Sequence, residues 1–168
     1  MVNEKIKDSL DDEDIEDDEN AQKDKFLTFC IGKEDYGIEI CNVVEIVGIQ
    51  KITEIPDMPD FVKGVINLRG QVIPVMDVRT RFKMEKRNYD ERTCVVVVSI
   101  ENTAVGLIVD TVSEVLSIPE ENVSPPPKMA FKTVSCFVKG LGKSGDSVKI
   151  LLDVNKLLFE EMNILQTV

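Results

Sequence analysis

The side chains that perform most enzyme chemistry are sparse in this chain. Its 168 residues contain no His, which excludes Ser-His-Asp and Cys-His triads, a His general base and a His-ligated metal. No two cysteines have the C-x-x-C spacing that zinc or redox chemistry prefers. Each lies in or beside an apolar run, which predicts small buried hydrophobic side chains. The four are Cys30, Cys41, Cys94 and Cys136.

Two further patterns resemble catalytic or phosphate-binding arrangements only superficially. Glu45 and Glu114 hold equivalent positions in two similar segments, but equivalence does not place them at catalytic distance, and charged strand residues are expected to face solvent. The glycine-rich segment 140–145 departs from the spacing G-x-x-x-x-G-K-[ST], and no predicted helix follows it. We expect a hairpin turn there. No catalytic set therefore assembles from these residues, and we expect no cofactor or metal.

Arg69 is the most informative basic residue. It lies in Asn-Leu-Arg-Gly at 67–70, between two apolar segments. Asn67 and Gly70 suit a turn, whereas an Arg is not required for one. Its guanidinium could pair with a carboxylate such as that of Glu45, anchor an interface, or remain solvated, and these alternatives stay open.

A second basic segment, residues 79–87, connects the two halves of the chain. It could bind an acidic partner or the acidic tail of its own chain. A solvated linker is the interpretation that mixed charge favours.

Charge and composition limit the other classes of function. The formal net charge of −11 argues against nucleic acid as a partner. Residues 1–25 contain eleven acids and four lysines, which predicts a disordered tail, and the rest of the chain carries only −4. No Gly precedes Gly32, so the tail lacks the turn of a calcium-binding EF-hand. Neither a signal peptide nor a membrane span is visible, so we expect a cytoplasmic protein without membrane insertion.

From residue 26 onward, short segments rich in Val and Ile predict a mainly β fold. Asp153 is positioned to cap a helix over 154–165, and Asp77 to open a short helical turn over 79–82. The predicted strands are Phe26–Ile31, Tyr36–Ile40, Val43–Val47, Val62–Leu68, Val72–Asp77, Thr93–Ile100, Ala104–Val109, Val112–Ile118, Cys136–Leu141 and Val148–Leu152.

The chain also contains an internal repeat. Residues 36–46 match 105–115 at an offset of 69, and Phe-Val-Lys-Gly at 61–64 matches the same letters at 137–140 at an offset of 76. Two copies of one unit predict two small β-barrels of about 70 residues each. Domains of that size bury a low fraction of their surface, so we expect the barrels to share a core.

Three sequence blocks resemble the CheW family of bacterial chemotaxis coupling proteins. They are residues 36–46, then 61–78 with NLRG followed by IPVMDV, then 105–116 with VGLIVDTV. The resemblance runs from Phe26 to about Leu158 with order and spacing kept. The same module occurs in the regulatory domain of the histidine kinase CheA and in CheV.

The resemblance implies two five-stranded SH3-like β-barrels with a shared hydrophobic core and a C-terminal helix, over residues 26–168. It also implies a non-enzymatic scaffold in chemotaxis, which couples the cytoplasmic tips of chemoreceptors (methyl-accepting chemotaxis proteins) to CheA in membrane-associated arrays. By position, Arg69 and Glu45 would support the receptor-binding surface. The groove between the barrels would be lined by Val43, Cys94, Val112 and Val115.

Two other classes of protein remain open at this point. The chain could be a piece of a larger CheV-type or kinase switch. Alternatively, the barrels could bind a small ligand or carry a hydrolase site, which a deep pocket with several ionisable groups would favour.

Overall fold

The computed structural model describes residues 22–126 and 135–160, and within them eleven strands. Each of the ten strands predicted from the sequence overlaps one of them. The strands are β1 (Lys25–Ile31), β2 (Glu34–Glu39), β3 (Val43–Gly48), β4 (Val62–Leu68), β5 (Gln71–Asp77), β6 (Cys94–Ile100), β7 (Thr103–Val109), β8 (Thr111–Ser117), β9 (Val123–Ser124), β10 (Val138–Ser144) and β11 (Ser147–Leu152).

Two short helices follow strands at equivalent places in the repeat. The first, α1 (Val78–Arg81), follows β5, and the second, α2 (Val154–Phe159), follows β11. Asp77 caps α1 by accepting from the Thr80 amide at 3.3 Å, and Asp153 caps α2 by accepting from the Lys156 amide at 3.1 Å. Both predicted caps are therefore confirmed.

The predicted length of α2 is wrong, because the helix ends at Phe159 rather than at residue 165. Glu160 already has extended backbone angles. The Arg81 guanidinium donates hydrogen bonds to the carbonyls of Leu157 and Glu160, which satisfies groups that further helical turns would otherwise pair. Residues 161–168, and the prediction that falls on them, lie outside the described residues.

The strands form two sheets with the same topology. Sheet 1 has the order β8-β1-β2-β11-β10-β9, and sheet 2 has the order β3-β6-β7-β5-β4. Replacing each strand of sheet 1 by its repeat equivalent gives sheet 2, apart from the two-residue β9. The predicted mainly β fold is confirmed.

The two copies exchange strands, so the expectation of one barrel per copy is wrong. Sheet 1 takes β1 and β2 from the first copy and the remaining strands from the second, while sheet 2 takes the complement. A parallel pair joins the copies in each sheet, β2 with β11 and β5 with β7. The sequence repeat could not show this exchange, because local pattern specifies strands and not their partners.

In each sheet, the segment that follows one edge strand reaches the opposite edge. These edge strands are β3 in sheet 2 and β8 in sheet 1. After β3, the Thr53 backbone exchanges two hydrogen bonds of 2.9 Å with Val65 of β4, at the opposite edge of sheet 2. In sheet 1 the equivalent segment is β9, which pairs with β10. Each sheet therefore curls on itself, as the barrel prediction requires.

The main core lies between the sheets and contains side chains from both. Phe29 and Ile38 of sheet 1, and Phe137 just before β10, pack with Val98 and Leu107 of sheet 2. All five side chains are fully buried. A smaller cluster around Ile66 and Val75 fills sheet 2, and another around Ile118 and Leu151 fills sheet 1. One shared core with two satellites explains how two small sheets form a single stable unit.

Candidate functional site

Arg69 and Glu45 form an ion pair across the two edges of sheet 2. Glu45 lies on β3 and Arg69 in the turn between β4 and β5, and the guanidinium donates to the Glu45 carboxylate. The pairing that the sequence offered as one alternative is therefore present. The Arg69 side chain remains 77% exposed, so the pair leaves the cation accessible at the surface.

The backbone holds Arg69 in a conformation that does not favour this residue type. Arg69 and Gly70 have φ angles of 51° and 85°, as the central residues of a type I′ turn do. The equivalent position in the second copy is Gly145, with φ 58°. A non-Gly residue in this region costs on the order of 1 kcal/mol, so the turn carries the Arg against its own preference.

The sequence predicts that Glu45 faces solvent, but its side chain lies on the half-buried side of β3. Val44 and Ile46 are 60% and 44% exposed, whereas Val43, Glu45 and Val47 lie on the half-buried side. The outward face of β3 therefore carries two exposed apolar side chains close to the ion pair. Val44 and Ile46 could not be predicted as surface residues, because an almost wholly apolar strand does not reveal which side is outward.

The remaining predicted residues do not all lie together. Val43, Cys94 and Val112 are partly buried and pack against the core between the sheets. In the β3–β6 register Cys94 lies opposite Gly48, five positions from Val43, or roughly 16 Å along the strand. Val115 of β8 is 50% exposed and is the repeat equivalent of Ile46. The structure thus pairs Arg69 with Glu45 and distributes the apolar residues over both sheets.

The basic segment 79–87 is used inside the molecule. Arg79 donates to both carboxylate oxygens of Asp110 at 2.8 and 2.7 Å, and Arg87 reaches Asp110 at 3.2 Å and Asp90 at 3.1 Å. Arg81 is buried. The interpretation as a solvated linker therefore fails for Arg79 and Arg81, which have partners far along the chain, whereas residues 85–87 are exposed as it expects.

Asp110 ought to make stability depend on pH. Its side chain is only 10% exposed, and burial alone would raise its pKa, but hydrogen bonds from Arg79 and Gly32 outweigh burial and lower the pKa below its ordinary value. A lowered native pKa stabilises the fold above the unfolded-state pKa, and this stabilisation is lost as pH falls through the native value. We expect Asp110→Asn to reduce the free energy of unfolding by about 1.5–3 kcal/mol near pH 7, the contribution of a hydrogen bond to a charged group, with the difference narrowing below about pH 4.

Denaturant unfolding of both proteins between pH 7 and pH 2.5 tests this expectation. Asp146→Asn, in the exposed turn between β10 and β11, is the matched control. A gap between wild type and Asp110→Asn that stays constant down to pH 2.5 would contradict it.

Glu114 and the cysteines differ in how far they are buried. Glu114 is exposed, as predicted, whereas Cys41 is exposed against the prediction because its short 3₁₀ turn lies at the surface. A hydrogen bond to Asp35, together with burial, raises the pKa of the Cys30 thiol to about 11, so it stays protonated. Within 22–126 and 135–160 no cluster of acidic or thiol side chains is arranged to hold a metal. No helix in those ranges could cross a membrane.

Comparison with known proteins agrees with this geometry. The family model described as "CheW-like domain" matches residues 25–162. The chain is 43% identical over 137 residues to the chemotaxis protein CheW of Klebsiella aerogenes, covering 82% of each protein. It is 34% identical to the chemotaxis protein CheW of Helicobacter pylori, over 84% of this chain and 85% of that one.

A solved structure supports the same assignment. The crystal structure of the scaffolding protein TtCheW from Thermoanaerobacter tengcongensis superposes with a TM-score of 0.75 at 38% identity, covering 82% of this chain and 93% of that one. Sequence and fold therefore agree, each over 82% of the chain. The chain belongs to the CheW family of chemotaxis scaffold proteins, which are not enzymes.

Proposed function

We propose that this protein couples the cytoplasmic tips of chemoreceptors to the regulatory domain of the histidine kinase CheA, in the cytoplasm at membrane-associated receptor arrays. Membership of the CheW family supports a scaffold role. The observation that carries the receptor site is Arg69, which is exposed, paired with Glu45 and kept in a turn that favours Gly.

The receptor surface is formed by Arg69, Glu45 and the apolar side chains beside them. Val44 and Ile46 lie next to Glu45 along β3, on the outward face opposite to the Glu45 side chain. We include Val43, Cys94, Val112 and Val115 as the remaining residues of the predicted receptor-binding groove. A receptor helix would lay an apolar stripe against the valines and isoleucine, and Arg69 would fix its register by a charged contact at the edge.

Kinase contacts are proposed at the two equivalent hairpins. Val72 of β5 and Val148 of β11 are 64% and 51% exposed and hold matching positions in the two copies. Each is the second residue of a strand that follows a tight turn. Two similar apolar contacts, one on each sheet, would let the protein join two kinase regulatory domains.

The mechanism requires no chemistry in this chain. Receptor and kinase are held by the same chain, so the activity of the kinase depends on the receptor only through contact free energies. The two signalling states of the receptor must differ in how well they hold the complex, because a partner that binds both states equally shifts nothing.

Charge reversal at Arg69 tests the receptor site. We expect Arg69→Glu to fold normally, since exposed ion pairs contribute at most about 1 kcal/mol, and to weaken capture of a receptor cytoplasmic fragment at least about tenfold. The assay is a pull-down of the receptor fragment and CheA, separately and together, with circular dichroism to check folding.

Two further variants make the result specific. Lys33→Glu reverses a charge in the exposed β1–β2 turn and should leave capture unchanged. The double variant Glu45→Arg with Arg69→Glu restores an intramolecular pair but not the surface charge, so capture should stay weak. Wild-type capture by a folded Arg69→Glu would refute the assignment.

A further inference from the structure

The chain crosses between the two sheets at two equivalent points within the copies. The first crossover joins β2 of sheet 1 to β3 of sheet 2 through the 3₁₀ turn Ile40–Asn42. The second joins β7 of sheet 2 to β8 of sheet 1 at Asp110. The repeat offset of 69 places Cys41 at the position that corresponds to Asp110.

The second crossover is fixed by a cluster that we call the Asp110 clamp, formed by Asp110, Arg79, Arg87 and Gly32. Besides its bonds to the two arginines, the Asp110 carboxylate accepts the Gly32 amide at 2.8 Å. Gly32 belongs to the β1–β2 turn of sheet 1, whereas Arg79 lies on α1, which follows sheet 2. One carboxylate thus ties both sheets together.

The segment that follows α1 fills the remaining space at the clamp. Tyr89 donates to the second oxygen of the capping residue Asp77 at 2.6 Å, and Arg87 lies over Asp110. The void left among these side chains has a volume of only about 10 Å³. The second crossover is therefore packed as well as charge-paired.

The first crossover has an open crevice of about 380 Å³ at the equivalent place. Its lining includes Glu39, Asp153 and Asn155. Their repeat equivalents are Ile108, Asp77 and Arg79, which line the small void at the Asp110 clamp. Asn155 replaces the guanidinium and Cys41 replaces the carboxylate. The ion pair beside it, Lys139 with Glu39, is exposed on both sides, so it contributes little.

We propose that the two sheets are fixed to one another at the Asp110 crossover and move relative to one another at the Cys41 crossover. The fold then has a pivot on one side and a gap that can open on the other. In the docking surface proposed above, Glu45 lies on sheet 2 and Val115 on sheet 1, so this movement changes the distance between them. That consequence rests on the proposed function, whereas the pivot does not.

Hydrogen exchange on the free protein tests the pivot, because local opening exposes amides without global unfolding. We expect protection factors for residues 110–112 to exceed those for 41–43 by at least about tenfold, the ratio that one partly buried charged hydrogen bond supplies. In Asp110→Asn the two segments should agree within about threefold. Asp90→Asn, which also removes a partner of Arg87 but does not touch the crossover, should leave the ratio unchanged.

A transplanted clamp tests the reverse change. The double variant Cys41→Asp with Asn155→Arg places a carboxylate and a guanidinium at the equivalent positions. Glu101 is the repeat equivalent of Gly32, and its φ of 51° is close to the 64° of Gly32, so its amide can take the place of the Gly32 donor. We expect the double variant to raise protection at 41–43 by about tenfold, and more than the two single variants combined.

Specific outcomes would overturn the proposal. Equal protection factors at the two crossovers of the wild type would overturn it. So would an Asp110→Asn protein in which every amide exchanges faster by one common factor, because that pattern indicates global and not local opening. These measurements need no receptor or kinase, so their result is independent of whether the capture experiment succeeds.

Discussion

Gly64→Ala is expected to lower the free energy of unfolding by about 3–5 kcal/mol, a large part of the total stability of a domain of this size. Gly64 has a φ of 144°, which side chains rarely adopt, and a Cβ there would overlap the Thr53 carbonyl oxygen. Thr53 is the residue that joins the two edges of sheet 2. The substitution would therefore open the sheet at its closure.

Two other glycines make this a graded experiment. Gly48 lies on β3 with open space around its Cβ position, so Gly48→Ala should change stability by less than about 0.5 kcal/mol. A Cβ at Gly140, the repeat equivalent of Gly64, would lie 2.7 Å from a Val123 methyl group and 3.0 Å from the Ser124 oxygen. We expect an intermediate loss there, because the Val123 side chain can shift.

Denaturant unfolding followed by fluorescence or circular dichroism measures these three variants. A Gly64→Ala protein that is as stable as Gly48→Ala would contradict the expected opening of sheet 2. These contacts also explain why the tetrapeptide Phe-Val-Lys-Gly occurs in both copies: its Gly marks the place where the closing segment crosses the strand.

Arg81→Ala is expected to destabilise the protein by about 3 kcal/mol. Arg81 is buried, and its Cζ lies 4.3 and 4.8 Å from the ring centroids of Phe61 and Phe137. Its Nε donates to the carbonyl of Leu157 at 3.0 Å. Removing it takes away a cation–π contact from each copy and leaves carbonyls at the end of α2 without their donor.

Comparison with conservative and surface variants gives this prediction its specificity. Arg81→Lys keeps the charge but loses the planar fork, so we expect a loss of about 1–2 kcal/mol. Arg92→Ala, at an exposed position just before β6, should be close to neutral. Thermal and denaturant unfolding should rank the variants in this order, and an Arg81→Ala protein as stable as Arg92→Ala would contradict it.

The strands and caps could be predicted from the sequence because their causes are local. Val and Ile runs mark the strands, and Asp77 and Asp153 precede helical spacing. The end of α2 could not be predicted in the same way. Apolar spacing continues past Phe159, and the hydrogen bonds that end the helix come from Arg81, far back in the chain.

The candidate site was only partly predictable for related reasons. Arg69 could be singled out, since a turn needs Gly and Asn but no Arg. The outward orientation of Val44 and Ile46 could not, because the apolar run 43–47 fits either face of a strand. The partners of the basic segment were also hidden, because Asp110 lies 31 residues from Arg79.

The exchange of strands between the copies fixes an order in which the sheets can be completed during synthesis. Sheet 2 needs only residues 43–109, whereas sheet 1 holds β1 and β2 from the start of the fold and waits for β11 at Ser147–Leu152. At ribosomal rates, β2 spends roughly 5–20 s beside β1 before its second partner, β11, is made. The nascent chain therefore carries the unpaired edge of β2 for seconds, whereas all the strands of sheet 2 are already present once residue 109 is made.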